Sequence, residues 1–495
     1  MRRARGERSR VEFGDFQTPP GLAAAVCRRL AARGLAPGSL VEPTCGVGNL
    51  LLAALDAFPG VERACGLDVN PEHIAAARAG VAARGWAGRT TLERASFFEV
   101  DWPARLAGLP EPILCVGNPP WVTCAALGAL QSPNIPEKTN LHGRPGIDAI
   151  TGKSNFDISE WMLRAMLTAL AGRRATVAML CKTAVARKVL AFAWGSGLDV
   201  ASAELVRIDS ALHFEASVDA GLLVCELGVS GERRSCAVFA GLEARAPAGA
   251  FGYRDGALVA DTALYDRRSA LLGDCPHPRW RSGVKHDCAA VMELRRVDGA
   301  FVNGDGEAVE LEPRFVFPLL KSSDLARDGA LAPRRWMIVP QTFVGEETAQ
   351  IQRTARNTWD YLKKHGDRLE RRASSIYRGR PAFSVFGVGD YTFAPWKVAI
   401  SGLYKRIEFK VVGPHAGRPV VLDDTCYFLA CASSAEAGLL ARLLGSAEAR
   451  EFFAAFVFWD AKRPITAELL RRLDLRRLAA VLGAEQEFAA LSRAC

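Results

Sequence analysis

The stretch Leu40-Val-Glu-Pro-Thr-Cys-Gly-Val-Gly48 decides the fold, because a short apolar run passes through two glycines into a helical pattern at residues 48–58. Glycines allow the backbone to approach a ligand closely, and the first N–H groups of a helix can bind a carboxylate. The spacing is not the GxGxxG of a dinucleotide site. The stretch therefore predicts a strand, a tight turn and a helix, with a ligand site at the turn.

Strand and helix patterns alternate outward from this turn over residues 1–230. The predicted strands are residues 39–42, 63–68, 90–94, 113–116, 175–180, 205–208 and 221–227. Helical patterns lie between most of them, at residues 20–33, 48–58, 71–84 and 158–171. This alternation predicts an α/β fold with a mainly parallel sheet covered on both faces. Ligands bind such sheets beyond the carboxyl ends of the strands.

Asp68 ends the second predicted strand, 22 residues after Gly46. An acid at this place can accept hydrogen bonds from both hydroxyls of a ribose. The glycine turn and the acid together predict a nucleoside-bearing cofactor. A structural turn with an aspartate that caps a helix is the alternative.

Asn118-Pro119-Pro120-Trp121 follows the fourth predicted strand. Two consecutive prolines fix φ and remove two N–H donors, so the loop is rigid and its carbonyls stay free. A planar amino group fits here, because it can donate to the Asn118 amide oxygen and the Pro119 carbonyl while Trp121 stacks on its ring. An ordinary Pro-Pro turn with a buried tryptophan is the alternative for the motif alone.

Together these motifs resemble the N6-adenine DNA methyltransferases of restriction–modification systems, in which target recognition follows the cofactor and catalytic motifs. Five pieces occur in that family's order: Phe16-x-Thr18-Pro19-Pro20, Glu42-Pro43-x-Cys45-Gly46-x-Gly48, Asp68, Asn118-Pro119-Pro120-Trp121, and Phe214 ahead of the strand at residues 221–227. The resemblance implies a Rossmann-like class I methyltransferase domain with a seven-stranded sheet. It also implies S-adenosylmethionine as cofactor, double-stranded DNA as partner and no metal.

The resemblance assigns the cofactor contacts residue by residue. Phe16 and Thr18 would contact the methionine part of S-adenosylmethionine. Glu42, Cys45 and Gly46 would shape the loop beneath it.

Asp68 would hold the ribose, and the segment at residues 95–98 would border the adenine of the cofactor, with Phe97 or Phe98 as an apolar contact. The sequence departs from the family here, because Ser96 stands where the family usually has Asp. A serine accepts from the adenine amino group more weakly, and Asp101 is an alternative acceptor.

The catalytic loop would be formed by Asn118, Pro119, Pro120 and Trp121. An enzyme that acts on a base atom extrudes the base from the duplex, and the resemblance places the flipped adenine between Trp121 and Phe214. Phe214 as a plain core aromatic is the alternative. The reaction would depend on positioning and electrostatics, with neither a metal nor a covalent intermediate.

Four segments divide the chain. Residues 1–11 are predicted as a basic tail, 12–235 as the methyltransferase domain, 236–264 as a linker region and 265–495 as an α+β target-recognition domain. The linker is placed where the strand and helix patterns weaken.

A basic segment lies between Arg353 and Arg380, where nine Lys or Arg accompany three acids and several aromatic residues. In a chain of net charge +9 and pI near 9.0, such a segment fits a polyanionic partner. The predicted DNA-binding residues are Arg353, Lys363, Lys364, Arg371, Arg372 and Arg378. A solvated helix face is the alternative.

Other functions fit part of the pattern. A methyltransferase that acts on RNA adenine or on a protein glutamine amide would share the Asn-Pro-Pro-aromatic loop. A bifunctional restriction enzyme is a further alternative, since Asp390 with Glu408-x-Lys410 resembles a nuclease core. A cognate restriction endonuclease is a possible separate partner.

Composition excludes other classes. With 49% hydrophobic and 24% charged residues the chain is not disordered throughout, and no apolar run reaches the roughly 18 residues that a membrane span needs. Thirteen scattered cysteines predict free thiols in a reducing cytoplasm. Cys275-x-His277 and His286-x-Cys288 offer zinc ligand types, but one-residue gaps suit a shared tetrahedron poorly.

Overall fold

The computed structural model describes residues 17–123, 157–228, 234–274, 278–329 and 331–492. The chain divides into two compact units, Met1–Thr262 and Ala263–Cys495. Each unit has an apolar core of its own.

The described part of the first unit contains one ten-stranded sheet. Its strands are β1 Ser39–Glu42, β2 Arg63–Asp68, β3 Thr90–Arg94, β4 Ile113–Gly117, β5 Ala175–Lys182, β6 Val200–Ile208, β7 Ala220–Leu227, β8 Ser235–Phe239, β9 Gly249–Arg254 and β10 Ala257–Val259. Their order across the sheet is β10-β9-β8-β6-β7-β5-β4-β1-β2-β3. Strands β1 to β5 pair in parallel, and β7 is antiparallel to β5 and β6. The seven predicted strands are present as β1 to β7 of a mainly parallel sheet, and β8 to β10 enlarge the expected seven-stranded sheet to ten strands.

Helices cover both faces of this sheet. They are α1 Pro20–Ala32, α2 Asn49–Ala57, α3 Pro71–Ala83, α4 Trp102–Ala107, α5 Ile158–Ala169, α6 Thr183–Gly195 and α7 Ser210–Phe214. Leu114 and Val116 of β4 pack in one core with α1 and α2, while Cys115 between them points to the opposite face and is fully buried. A strand buried on both faces gives a continuous apolar run, which is why β4 could be predicted closely.

The predicted linker at residues 236–264 is wrong. Strands β8 to β10 extend the first sheet through Val259, and the boundary between the units lies after Thr262. These strands lie at the edge of the sheet and are only partly buried. Their sequence therefore lacks the long apolar runs that mark the central strands.

The order of the strands creates a switch point between β1 and β4. From β1 the chain continues to β2 and β3 on one side, and it returns to β4 on the other side. At such a point the loops that follow neighbouring strands diverge and leave a crevice for a ligand. The loops after β1, β2 and β4 carry the predicted motifs, so the topology gathers them at one edge.

The second unit is α+β, as expected. Its described strands are β11 Arg281–Ser282, β12 Glu293–Val297, β13 Ala300–Val302, β14 Ala308–Val309, β15 Val316–Leu320, β16 Arg335–Ile338, β17 Trp396–Ser401, β18 Lys410–Val412, β19 Val421–Leu422 and β20 Cys426–Cys431. They form a four-stranded sheet, β11-β20-β17-β18, and a six-stranded sheet, β14-β13-β12-β16-β15-β19.

The described helices of this unit accompany the two sheets. They are α8 Thr262–Arg268, which begins at the boundary, α9 Ala289–Met292, α10 Ser322–Leu325, α11 Ile351–Thr354, α12 Arg356–Lys364, α13 Gly366–Glu370, α14 Ser434–Leu444, α15 Ala447–Ala454, α16 Ala467–Arg471, α17 Leu475–Val481 and α18 Glu485–Ser492. Leu440 of α14 and Phe453 of α15 pack with Val398 and Ile400 of β17 in one core. Across the described ranges, no helix combines the length and apolar character of a membrane span.

Candidate active site

The glycine turn after β1 has the backbone that its sequence predicts. Gly46 and Gly48 have φ of 52° and 89°, the left-handed region in which a side chain would be strained. Gly48 directly precedes α2, and a Cβ there would lie 3.1 Å from Cβ of Ala77. The turn therefore needs glycine both for its conformation and for its packing.

Asp68 braces the glycine turn from the end of β2. The Gly46 N–H donates to Asp68 Oδ2 over 2.9 Å, and the Asn70 N–H donates to Oδ1 over 2.8 Å. Nδ1 of His73 lies 3.3 Å from the same Oδ1. The carboxylate thus holds the turn together, and part of its capacity to accept hydrogen bonds remains.

Gln17 and Thr18, which precede α1, are hydrogen-bonded to the glycine turn and to the start of α2. Asn49 Nδ2 donates to the Thr18 carbonyl over 2.8 Å, and the Val47 N–H donates to Gln17 Oε1 over 3.1 Å. Thr18 is therefore held against the start of α2, whereas Phe16 lies outside the described residues.

Glu42 forms part of the floor of the site. Its side chain is buried, and Oε2 accepts from the Leu51 N–H in the first turn of α2 over 2.9 Å. Burial raises the pKa of Glu42 well above its ordinary value, and it also raises the pKa of the neighbouring Cys45 thiol. Cys45 is therefore a protonated, apolar part of the turn and not a nucleophile.

The segment after β3 forms an apolar wall. Phe97 is buried and packs against Trp102 with ring centroids 4.8 Å apart. Ser96 Oγ accepts from the Phe98 N–H over 3.3 Å, which starts a short 3-10 helix. Asp101 is exposed and caps α4 through the Ala104 N–H over 3.1 Å. Ser96 and Asp101 thus both cap short helices, and which of them contacts the adenine of the cofactor stays a prediction.

The predicted catalytic loop follows β4 directly. Pro119 is buried, while Asn118 and Pro120 are half-buried. The Trp121 Nε1–H donates to the Leu180 carbonyl over 3.3 Å. The loop is therefore anchored at its far end, on β5.

One cavity joins the cofactor motifs to the catalytic loop. The predicted residues that line it are Thr18, Glu42, Cys45, Gly46, Asp68, Phe97, Asn118 and Pro120. Residues that the sequence reasoning missed also line it: Gln17, Asn49, His73 and Met162. Gln17 and Asn49 adjoin recognised motifs, which is a usable signal, whereas nothing in the sequence singles out His73 or Met162.

The predicted slot for a base between Trp121 and Phe214 is closed. The two rings contact each other edge to face, with centroids 5.0 Å apart at 64°. A base stacked between two rings needs them roughly 7 Å apart, twice a van der Waals contact of about 3.5 Å. Phe214 is only 8% exposed and belongs to the core of the sheet. The structure therefore leaves no room for the flipped adenine between Trp121 and Phe214, because the two side chains fill that space themselves.

Five of the six predicted DNA-binding residues are exposed. Four of these make no ion pair within the described residues, namely Arg353, Lys363, Arg371 and Arg378.

The other two have partners inside the second unit. Lys364 Nζ lies 2.5 Å from Glu307 Oε1. Arg372 donates to the backbone carbonyls of His286 and Ser384 over 3.1 and 2.7 Å, and its guanidinium lies over Tyr377. We therefore assign Arg372 to packing and correct its predicted role in DNA binding. Of the possible zinc ligands, Cys275 and His277 lie outside the described residues.

Comparison with known proteins identifies relatives along the whole chain. The chain is 40% identical over 476 residues to the Type II methyltransferase M.NspV of Nostoc sp., which covers 96% of this chain and 99% of that protein. The Type II methyltransferase M.XamI of Xanthomonas campestris pv. amaranthicola is 34% identical over 109 residues, 22% of this chain and 20% of that protein. The chain matches no protein-family model.

Among solved structures, the Type IIL restriction-modification enzyme MmeI in complex with DNA is similar with a TM-score of 0.53 over 93% of this chain. The present chain spans 65% of the MmeI chain, and the two are 12% identical. At this identity the similarity concerns the fold.

Proposed function

Because this chain belongs to the Type II methyltransferases of restriction–modification systems, we propose that it methylates the N6 amino group of adenine at a specific site in double-stranded DNA. Its first unit has the Rossmann-like class I methyltransferase fold. Its methyl donor is S-adenosylmethionine. Family membership alone specifies neither the target base nor the roles of individual residues, and both are proposed below.

One observation carries the proposal: Asp68 and Asn118 line the same cavity. A cofactor bound at the end of β2 and a substrate bound at the end of β4 would then come into contact without a conformational change between them. Methyl transfer requires such a direct approach, since the reacting atoms have to lie in contact.

The residues present fit S-adenosylmethionine. The left-handed Gly46 lets the backbone approach the ligand, Asp68 would accept from ribose hydroxyls, and Phe97 offers an apolar wall to the adenine of the cofactor. Thr18 also lines the cavity, and the methionine part would lie against it. When bound, the cofactor supplies a methyl group on a positively charged sulfur.

The catalytic loop prepares the amine. An adenine amino nitrogen is a poor nucleophile because its lone pair is delocalised into the ring. The Asn118 amide oxygen and the Pro119 carbonyl would accept hydrogen bonds from its two N–H groups and draw the nitrogen toward tetrahedral geometry. Fixed dipoles at this position lower the barrier without reorganisation, since the prolines hold the loop rigid.

DNA recognition is assigned to the second unit. The exposed cations Arg353, Lys363, Arg371 and Arg378 would bind phosphates, which positions the duplex while contacts to base edges specify the site. A cognate restriction endonuclease that cleaves the unmethylated site would be the functional partner.

A comparison of substrates tests the proposal. The purified protein with radiolabelled S-adenosylmethionine is offered genomic DNA, total RNA and a glutamine-containing peptide. Label in DNA alone is the expected result. Label in RNA or peptide alone would show that the protein methylates another planar amine or amide, and it would overturn the assignment of DNA as substrate.

A further inference from the structure

Lys182, the last residue of β5, reaches the catalytic loop. Its Nζ donates to the Trp121 carbonyl over 2.9 Å and to Asp157 Oδ2 over 2.7 Å. β5 lies parallel to β4, and Gly117 at the end of β4 is paired with Met179. Lys182 extends three residues beyond that pair, so its side chain lies at the level of the loop.

Pro119 and Pro120 lack N–H groups and so cannot anchor the loop through backbone donors. Further along the loop, the Trp121 indole donates to Leu180, and the Ile158 N–H donates to the Val122 carbonyl over 2.9 Å. These two bonds join neutral groups. The bond from Lys182 is charged, and charged hydrogen bonds are roughly twice as strong as neutral ones.

Asp157 fixes the lysine in turn. The carboxylate is buried, and its Oδ1 caps α5 by accepting from the Ser159 N–H over 3.1 Å. It thereby holds the ammonium in one position and balances its charge. A lone ammonium here would repel a positively charged methyl donor, whereas the pair supplies a donor without net charge.

We propose that Lys182 is a positioning residue for methyl transfer. By holding the Trp121 carbonyl it sets the path of the Pro-Pro segment, and it thereby places the Asn118 amide oxygen and the Pro119 carbonyl. This inference rests on the proposed function, because only a planar amine or amide substrate needs both acceptors. Lys182 itself touches neither reactant.

Substitutions of two lysines test the inference in the full-length protein. Lys182→Met removes the donor, Lys182→Arg keeps a charged donor, and Lys188→Met is the matched control. Lys188 lies on the next element, is half exposed and pairs with Glu160 at 3.3 Å. For each variant we would measure the single-turnover methylation rate, the dissociation constant for S-adenosylmethionine and the fluorescence of 2-aminopurine placed at the target adenine.

Lys182→Met is expected to lower the rate about tenfold to a hundredfold, the effect of one charged hydrogen bond. Its cofactor dissociation constant stays within about twofold of the wild type, and the 2-aminopurine signal of a bound, extruded base weakens. Lys182→Arg recovers most of the rate, and Lys188→Met keeps all of it.

An unchanged rate in Lys182→Met overturns the inference. So does a parallel loss of rate and cofactor binding in both Lys182 variants, because that pattern indicates general damage to the fold. If Lys182→Met does not fold, Asp157→Asn tests the same pair while it keeps an oxygen for the α5 cap, and a wild-type rate there overturns the inference. If the wild-type protein methylates no adenine, that result overturns the proposed function, on which the inference about Lys182 rests.

Discussion

The carboxylate of Asp68 is joined to the backbone of Gly46, whose N–H donates to Oδ2 over 2.9 Å across 22 residues of sequence. The bond ties the turn after β1 to the end of β2. Asp68 therefore acts as an acceptor that lines the cavity and as a brace for the glycine turn. Substitutions at this position affect both roles.

Asp68→Ala is expected to raise the dissociation constant for S-adenosylmethionine about tenfold to a hundredfold, because a charged hydrogen bond contributes roughly 1.5–3 kcal/mol. Asp68→Asn keeps one oxygen for the Gly46 N–H, so its effect should be smaller. Isothermal titration calorimetry measures both constants. Wild-type affinity in Asp68→Ala would mean that the ribose is held elsewhere.

Asn118→Ala is expected to abolish methylation while cofactor binding persists, because Asn118 is assigned to the amine and not to S-adenosylmethionine. Activity and calorimetric binding are measured on the same preparation. The reciprocal pattern in Asp68→Ala serves as the control. Retained turnover with lost cofactor binding would contradict this division of roles.

The sequence predicted the first unit well where a local signal, such as an apolar run or a helix-starting proline, marks an element. β2 and α3 follow this rule, since β2 is a continuous apolar run and Pro71 at the first helical position marks where α3 begins. The edge strands β8 to β10 escaped prediction because they are only partly buried. Their pairing depends on a neighbouring strand, which a local pattern does not contain.

The site was predictable where motifs are local and unpredictable where contacts are distant. The residues of the glycine turn could be named because the turn needs them in sequence. Lys182 could not, since its partners Trp121 and Asp157 lie 61 and 25 residues away. The closed contact of Trp121 with Phe214 was equally hidden, because ring geometry depends on the whole edge of the sheet.

Replacement of Arg353, Lys363, Arg371 and Arg378 by Gln is expected to flatten the salt dependence of DNA affinity. Each phosphate contact contributes about 0.9 to the slope of log K against log salt, so the slope should fall by up to about 3.6. Fluorescence anisotropy at several salt concentrations measures it. Lys364→Gln is the matched control, because Lys364 is paired with Glu307. An unchanged slope in the fourfold variant would indicate that this segment is a solvated helix face and does not bind phosphates.

Lys397 makes the stability of the second unit depend on pH. The side chain is 1% exposed, and burial lowers the pKa of Lys397 to about 8. An unfolded lysine has a pKa of about 10.4, so the unfolded chain binds more protons between these values. The free energy of unfolding should therefore rise as the pH increases from about 8 to about 10. The free-energy cost of burying Lys397 is fully present below pH 8.

Lys397→Met removes that cost, which is at most about 3 kcal/mol for this pKa difference. The variant should unfold at a higher temperature at pH 7, and its stability should change less above pH 8. Lys405→Met, at an exposed position, is the control. Differential scanning calorimetry across pH decides, and an equal pH dependence in wild type and Lys397→Met would refute the prediction.

Identification of the modified nucleoside tests the central claim most directly. Unmethylated genomic DNA is incubated with the full-length protein and S-adenosylmethionine, digested to nucleosides and analysed by mass spectrometry, while sequencing of the intact product locates the modified bases. The account predicts N6-methyldeoxyadenosine at one recurring sequence, present with the wild type and absent with Asn118→Ala. Methylation of cytosine alone, or no modified base from a protein that binds S-adenosylmethionine, would contradict it.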